Sequence, residues 1–195
     1  IFNIPTPFVK VNLEKLYHNI KKIQYRTIEN NSILYPHFKT HKSMFIAKKQ
    51  IENGASGITC AKISEAEILV ENGIENLILA YPIVSSIKLN RLLNIYEKAN
   101  ISIIIDSFHH AEILESFFLK RGLKNINCFI KIDTGLGRLG FSPIERPENI
   151  IPRIFNKCKT LNFAGLLSHA GHSYSAENIS EIIEIGRKEE NYLFY

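Results

Sequence analysis

Two lysines and two histidines fall within the seven residues Pro36-His37-Phe38-Lys39-Thr40-His41-Lys42, between a short apolar run and a helical period. A lysine at the end of a strand loses part of its water, and desolvation lowers an amine's pKa. An amine tuned in this way can attack an aldehyde carbon and form a Schiff base. A second group lies roughly 90 residues further on, in Lys131-Ile132-Asp133-Thr134-Gly135-Leu136-Gly137-Arg138-Leu139-Gly140. Its glycines let the backbone approach something flat or bulky. Arg138 offers a fork of donors suited to a phenolate or carboxylate oxygen. A third, Ser168-His169-Ala170-Gly171-His172-Ser173-Tyr174, puts two histidines and a tyrosine within six residues. Each has a plain alternative: a solvated basic turn at Lys39 and Lys42, glycines that only shape a loop, a core histidine at 169, a loop histidine at 172. The 169/172 spacing lies in a loop without a carboxylate pair beside it, so no metal site is expected within this chain.

These groups need elements to hold them. Short β-rich runs occur at Ser32–Tyr35, Gly57–Cys60, Leu77–Ala80, Ile101–Ile105, Asn127–Ile132 and Phe163–Leu167. They are nearly continuous apolar runs, as expected when both faces are covered. Between them, Ala66/Leu69/Val70/Gly73, Leu89/Leu92/Leu93/Tyr96 and Ile179/Ile182/Ile183/Gly186 repeat at helical spacing as one-sided apolar stripes. Gly54, Gly73 and Gly122 stand where a helix closes in the left-handed conformation. Ser64-Glu65-Ala66-Glu67 reads as a capping box opening a helix. The count is a leading helix at about Leu13–Ile28, then six βα units, ending in a helix at about Glu177–Phe194. Repeated βα units build either an open doubly wound sheet or a closed barrel. A closed eightfold barrel needs two further strands and about 250 residues in the usual case. In either arrangement the ligand site lies at the carboxyl ends of the strands, and all three chemical groups follow predicted strands.

The 195 residues suffice for one domain with an ample core, and no linker divides residues 1–195. No apolar run approaches the roughly 20 residues that span a bilayer, so no membrane association is expected. The opening Ile1-Phe2-Asn3-Ile4-Pro5 has no basic n-region, so no signal peptide is expected, and no initiator Met, which suggests a cut or processed start. Cys60, Cys128 and Cys158 are widely separated, which favours reduced thiols in a cytoplasmic protein over a zinc cage or disulfide framework. The formal charge of +5 is scattered rather than striped with aromatics, so no nucleic-acid partner is expected.

Taken together, these segments resemble the fold-type III pyridoxal-phosphate enzymes, the alanine racemase N-terminal domain superfamily, and within it the D-threonine aldolase and D-serine dehydratase branch. The resemblance begins at Thr6-Pro7 and Leu13–Ile20. It continues through Pro36–Lys42 (PH.KTHK), Ile58–Lys62 with Glu65-Ala66-Glu67, Leu79–Ile83, Lys131–Gly140 (DTG.GR.G) and Ser168–Tyr174 (HAG.SY). Tyr35 stands where the family usually has Arg, and Asn12 where it usually has Asp.

The resemblance implies an α/β fold, a (β/α)8 TIM-type barrel, here incomplete. The last strands and a C-terminal β-domain would lie beyond Tyr195, and residues 1–195 would be a partial cofactor-binding barrel. It implies pyridoxal 5'-phosphate as cofactor, with Lys39 as the Schiff-base lysine and Lys42 one turn into the following helix. Arg138 would lie near the cofactor's phenolic oxygen and His169 against its pyridine ring. Lys131 matches a lysine that, in the racemase branch, supports that arginine after carbamylation. Tyr174 and His172 are candidate contacts to cofactor and substrate. The implied activity is a lyase on D-β-hydroxy-amino acids, most like D-threonine aldolase, cleaving to glycine and an aldehyde. The alternatives are a D-serine dehydratase-like lyase, a non-catalytic pyridoxal-phosphate-binding protein and an amino-acid racemase; the racemase branch usually carries KANAYGHG at its lysine, which is absent here. A divalent metal, manganese or zinc, would be held by the absent C-terminal domain. The full-length protein is expected to be a homodimer, and this portion alone inactive.

Overall fold

The computed structural model describes residues 6–194. After α1 (Leu13–Glu29), a 3₁₀ turn (Phe38–Thr40) and α2 (Met44–Glu52), the chain alternates strand and helix. The order is β1 (Ile58–Cys60), α3 (Ile63–Glu71), β2 (Asn76–Leu79), α4 (Ser86–Tyr96), β3 (Asn100–Ile105), α5 (Phe108–Leu119), β4 (Ile126–Lys131), α6 (Pro147–Phe155), β5 (Leu161–Leu167) and α7 (Ile179–Phe194). All pairings are parallel, and each strand lies beside its sequence neighbours in the order β1-β2-β3-β4-β5. A doubly wound sheet reverses its strand order at a switch point. This one never does, so it is an arc of the barrel type.

Register explains the core. The rows Ile58–Leu77–Ile101 and Cys60–Leu79–Ile103–Cys128 are buried and share one core with Ala66, Leu69, Leu89, Leu92 and Leu114 from the helices. The intervening row, Thr59–Ile78–Ser102, and Phe129 are only half-buried. Ile104 and Lys131 of that same face are buried, so among the described residues the expectation that both sheet faces are covered holds for one face and in part for the other. Between β4 and β5 the register slips past Ala164. Gly165, at φ +144°, sits where a Cβ would lie 3.2 Å from the Phe129 ring.

Three local expectations are corrected. Ser32–Tyr35 is extended but is not a strand, so five strands, not six, stand among the described residues. The Ser56 N–H donates to the Leu34 carbonyl and the Thr59 hydroxyl to the Tyr35 carbonyl; just beyond the segment, the Thr59 N–H donates to the Pro36 carbonyl and His37 forms a single bridge with Thr59. Pro36 has no N–H to donate, which interrupts a ladder. The helix after β1 begins at Ile63 with Lys62 as its N-cap, so Ser64 is not the cap. Glu65 alone performs the reach-back of a capping box, accepting the Ala61 N–H at 2.8 Å. The stripe Ile179/Ile182/Ile183 does form on a helix, but all three side chains are exposed.

Gly54, Gly73 and Gly122 all adopt positive φ at helix ends, as expected. Asn12 caps α1, its side-chain oxygen accepting the Lys15 N–H at 3.0 Å, so it does there what an aspartate would do. Tyr35 packs against Gly57 so closely that a Cβ there would meet its ring at 2.3 Å. The three cysteines are free and buried. No helix among the described residues is long and apolar enough to cross a membrane.

Candidate functional site

The 3₁₀ turn that carries Lys39 is tied down by its own side chains. Phe38 is buried. His37 Nδ1 accepts the Lys39 N–H at 3.3 Å, and Thr40 Oγ1 donates to the His37 carbonyl at 3.0 Å. The bridge from His37 to Thr59 sets the turn at the carboxyl end of β1. Lys39 itself is exposed, which corrects the expectation of a desolvated amine: no strand among the described residues flanks the open side of this segment. Lys42 lies outside the helix rather than one turn within it. It takes left-handed backbone (φ +49°), and Ser43 caps α2 after it.

The segment after β4 is a closed loop. The Phe141 N–H donates to the Lys131 carbonyl and the Asp133 N–H to the Phe141 carbonyl, at 2.8 and 3.0 Å. Gly140, at φ +117°, makes that return possible, since a Cβ there would lie 2.7 Å from the Lys131 carbonyl oxygen. Asp133 Oδ1 accepts the N–H groups of Gly135 and Gly137, each at 3.0 Å. Burial pushes the Asp133 carboxyl up, but these backbone donors and Lys131 outweigh it, and the net displacement is downward. Arg138 sits exposed on this loop. Lys131 is 5% exposed, and its Nζ donates to the Ile132 carbonyl at 3.1 Å. Burial lowers its pKa to about 8; Asp133 opposes and Arg138 assists.

After β5, the Ser168 hydroxyl donates to Glu189 of α7. His169 meets the Tyr174 ring edge-on at 6.0 Å between centroids, and Gly171 leaves no room for a side chain beside it, since a Cβ would lie 3.0 Å from His169 Nε2. His172 stacks over Gly135. Tyr174 is otherwise open to solvent. Burial lowers the His169 pKa, and so do the charges of Arg138, Lys39 and Lys131, with Glu189 opposing. The Lys39 turn, the loop that carries Lys131 and Arg138, and the segment that carries His169, His172 and Tyr174 thus lie at the carboxyl ends of β1, β4 and β5 of one parallel sheet, with His172 over Gly135, and three cations from two segments act on the His169 imidazole.

Two side chains named in the sequence were given no place in the site there. His37 has its pKa lowered to about 4 by burial, reinforced by Lys39 and His169 and opposed by Glu65. Glu65 is a buried carboxylate. The only sequence signals were the adjacency of His37 to Lys39 and the position of Glu65 one turn beyond a strand end. Buried atoms without partners also collect in these loops: Thr134 Oγ1 and His172 Nδ1. Three cations, imidazoles held toward neutrality and unsatisfied buried polar atoms fit a flat, anionic ligand. Among the described residues no group of three or more His, Cys, Asp or Glu side chains converges as metal ligands do.

Fold and rim together define a barrel-type α/β protein with its functional groups at the carboxyl ends of the strands. The sequence profile for the alanine racemase N-terminal domain matches residues 11–187, and the chain belongs to that family. It is 28% identical over 188 residues to a D-threonine aldolase of Arthrobacter sp, covering 95% of this chain and 48% of that protein. It is 27% identical over 191 residues to the D-threo-3-hydroxyaspartate dehydratase of Delftia sp. (strain HT23), covering 97% and 50%. The crystal structure of D-threonine aldolase from Filomicrobium marinum superimposes with a TM-score of 0.89 at 26% identity, over 97% of this chain and 50% of that one. The chain spans about half the length of the curated relatives it matches.

Proposed function

We propose that this chain is the cofactor-binding barrel portion of a pyridoxal-phosphate-dependent lyase that cleaves D-β-hydroxy-amino acids, D-threonine-like, to glycine and an aldehyde. The observation that carries this reading is the placement of the Lys39 turn, the Lys131–Arg138 loop and the His169 segment at the carboxyl ends of β1, β4 and β5 of one parallel sheet. Lys39 is the amine that would anchor the cofactor's aldehyde carbon. Arg138 would donate to the anionic ring oxygen, and His169, held toward its neutral form, would pack on the ring face. Lys131 supports Arg138 by closing the loop that carries it, through its carbonyl to Phe141. His172 and Tyr174 border the space a substrate would enter. When bound, pyridoxal phosphate supplies an electron sink that weakens the bonds to the substrate's α-carbon.

Lys39, once its amine is free, is the base nearest the reacting atoms in this reading. Taking the proton of the β-hydroxyl leads to Cα–Cβ cleavage; taking the α-proton leads to loss of the β-hydroxyl. The second course is dehydration, and similarity to the Delftia dehydratase favours it as the second reading. The exposed stripes of α1 and α7 flank the two ends of the arc. The remaining barrel strands would close that gap in the whole protein, followed by a C-terminal domain holding any manganese or zinc, within a homodimer.

The test is product analysis of the whole protein, with its remaining strands and C-terminal domain, supplied with pyridoxal phosphate and manganese. D-threonine should give equal amounts of glycine and acetaldehyde. Pyruvate from D-serine with no aldehyde from D-threonine would establish the dehydratase course, and neither product would defeat both.

A further inference from the structure

A hollow of about 450 Å³ opens where β1 and β2 end, between the first turns of α3 and α4. It shares no residue with the Lys39 cluster. Lys62, Lys88 and Arg91 line it, over a floor that includes Leu79, Pro82 and Ile83, and no carboxylate is among its lining residues. Neither lysine has a carboxylate partner among the described residues. Only Arg91 is engaged, by Glu67, which takes its Nε and Nη2 and leaves Nη1 unused.

Both walls are held in place. The Glu67 fork fixes the Arg91 side chain. The Ile83 carbonyl faces Nε2 of His110 at 3.1 Å, and the other ring nitrogen of His110 faces Asp106 at 3.0 Å. His110 is 2% exposed, so this link between the β2–α4 loop and α5 is an interior one. Two lysines without carboxylate partners and one arginine held in place by Glu67, set over apolar surface, describe a receptor for an amphipathic anion.

We propose that this hollow is a binding site for a small organic carboxylate, its charge held by Lys62, Lys88 and Arg91 and its apolar body laid on Leu79, Pro82 and Ile83.

Calorimetric titration of the protein with benzoate at low ionic strength tests this. Titrated into the Lys39→Ala/Arg138→Ala protein, so that the other anion-accepting rim does not compete, benzoate should bind saturably at one site that weakens as salt rises. The Lys62→Ala/Lys88→Ala protein should bind at least about tenfold more weakly, as expected for the loss of charge-assisted hydrogen bonds. Both lysines are exposed, so that protein should unfold at the parent temperature. Lys88→Glu should weaken binding further, and Lys48→Ala/Lys124→Ala should leave it unchanged. Inorganic phosphate, which carries charge without an apolar body, should bind more weakly than benzoate. No saturable binding, equal affinity in the Lys62/Lys88 variant, or phosphate binding as tightly as benzoate would each overturn the proposal. The titration needs neither cofactor nor turnover, so its failure leaves the lyase reading standing.

Discussion

Lys131 shows how one residue's surroundings set its chemistry. Its amine is buried beside Arg138, with one carbonyl as hydrogen-bond partner, and it loses its proton near pH 8 rather than 10.5. Side-chain ¹⁵N NMR should show Lys131 titrating near that value, well below the ordinary lysine range. A midpoint near 10 for Lys131 would contradict the burial argument. Because the unfolded chain holds this proton more tightly than the folded one, the contribution of Lys131 to stability should rise between about pH 8 and 10.5. Lys39 is the opposite case. Its proposed role comes from the motif around it, but its exposure was not legible there, because exposure depends on what flanks the turn and not on local sequence. His37 and Glu65 were missed for a related reason. Their nearness follows from the His37–Thr59 bridge and the capping of Ala61, both of which are tertiary facts.

At the scale of elements, the loop after β4 works because its glycines do different jobs. Gly140→Ala forces a Cβ to within 2.7 Å of the Lys131 carbonyl at a backbone angle that already disfavours one. It should cost about 2–4 kcal/mol, overpacking added to backbone strain. Gly137→Ala has open space around it, and should cost only about 1–2 kcal/mol through its positive φ. Chemical denaturation of the two variants measures the difference, and equal losses would refute the close-approach role of Gly140. On α1, Asn12→Ala should cost about 1 kcal/mol by removing the cap on Lys15. The strands β1 to β5 were readable because residues of one face are apolar whatever their neighbours. Ser32–Tyr35 was misread because β-forming residues are not enough when the next residue, Pro36, cannot donate to a ladder. The helix after β1 was placed two residues late because Ser64 looks like a cap, whereas the N-cap is Lys62 and the Glu65 side chain accepts the Ala61 N–H.

At the scale of the molecule, the sequential strand order sets the three motifs at one end of one sheet, although Lys39 and His169 lie 130 residues apart. Their order along the chain was legible; their placement at one end of the sheet required the register of the whole arc. The same packing ties stability to pH. Burial keeps His37 from protonating until about pH 4, while the unfolded chain protonates near 6.5, so stability should fall as pH drops from 6.5 toward 4. The Asp106 carboxyl, held below its usual range by the His110 hydrogen bond, should add to the loss at still lower pH. A melting temperature unchanged between pH 7 and 4.5 would contradict a buried, neutral His37. The central claim, that the rim is a cofactor site organised around one amine, is tested by incubating the protein with pyridoxal phosphate, reducing with borohydride and mapping the attached mass after proteolysis. The account predicts a visible-edge absorbance band that vanishes on reduction, with the mass on Lys39 and on no residue of the Lys39→Ala protein. A band of full intensity in Lys39→Ala, or the mass on another lysine of the parent protein, would contradict it.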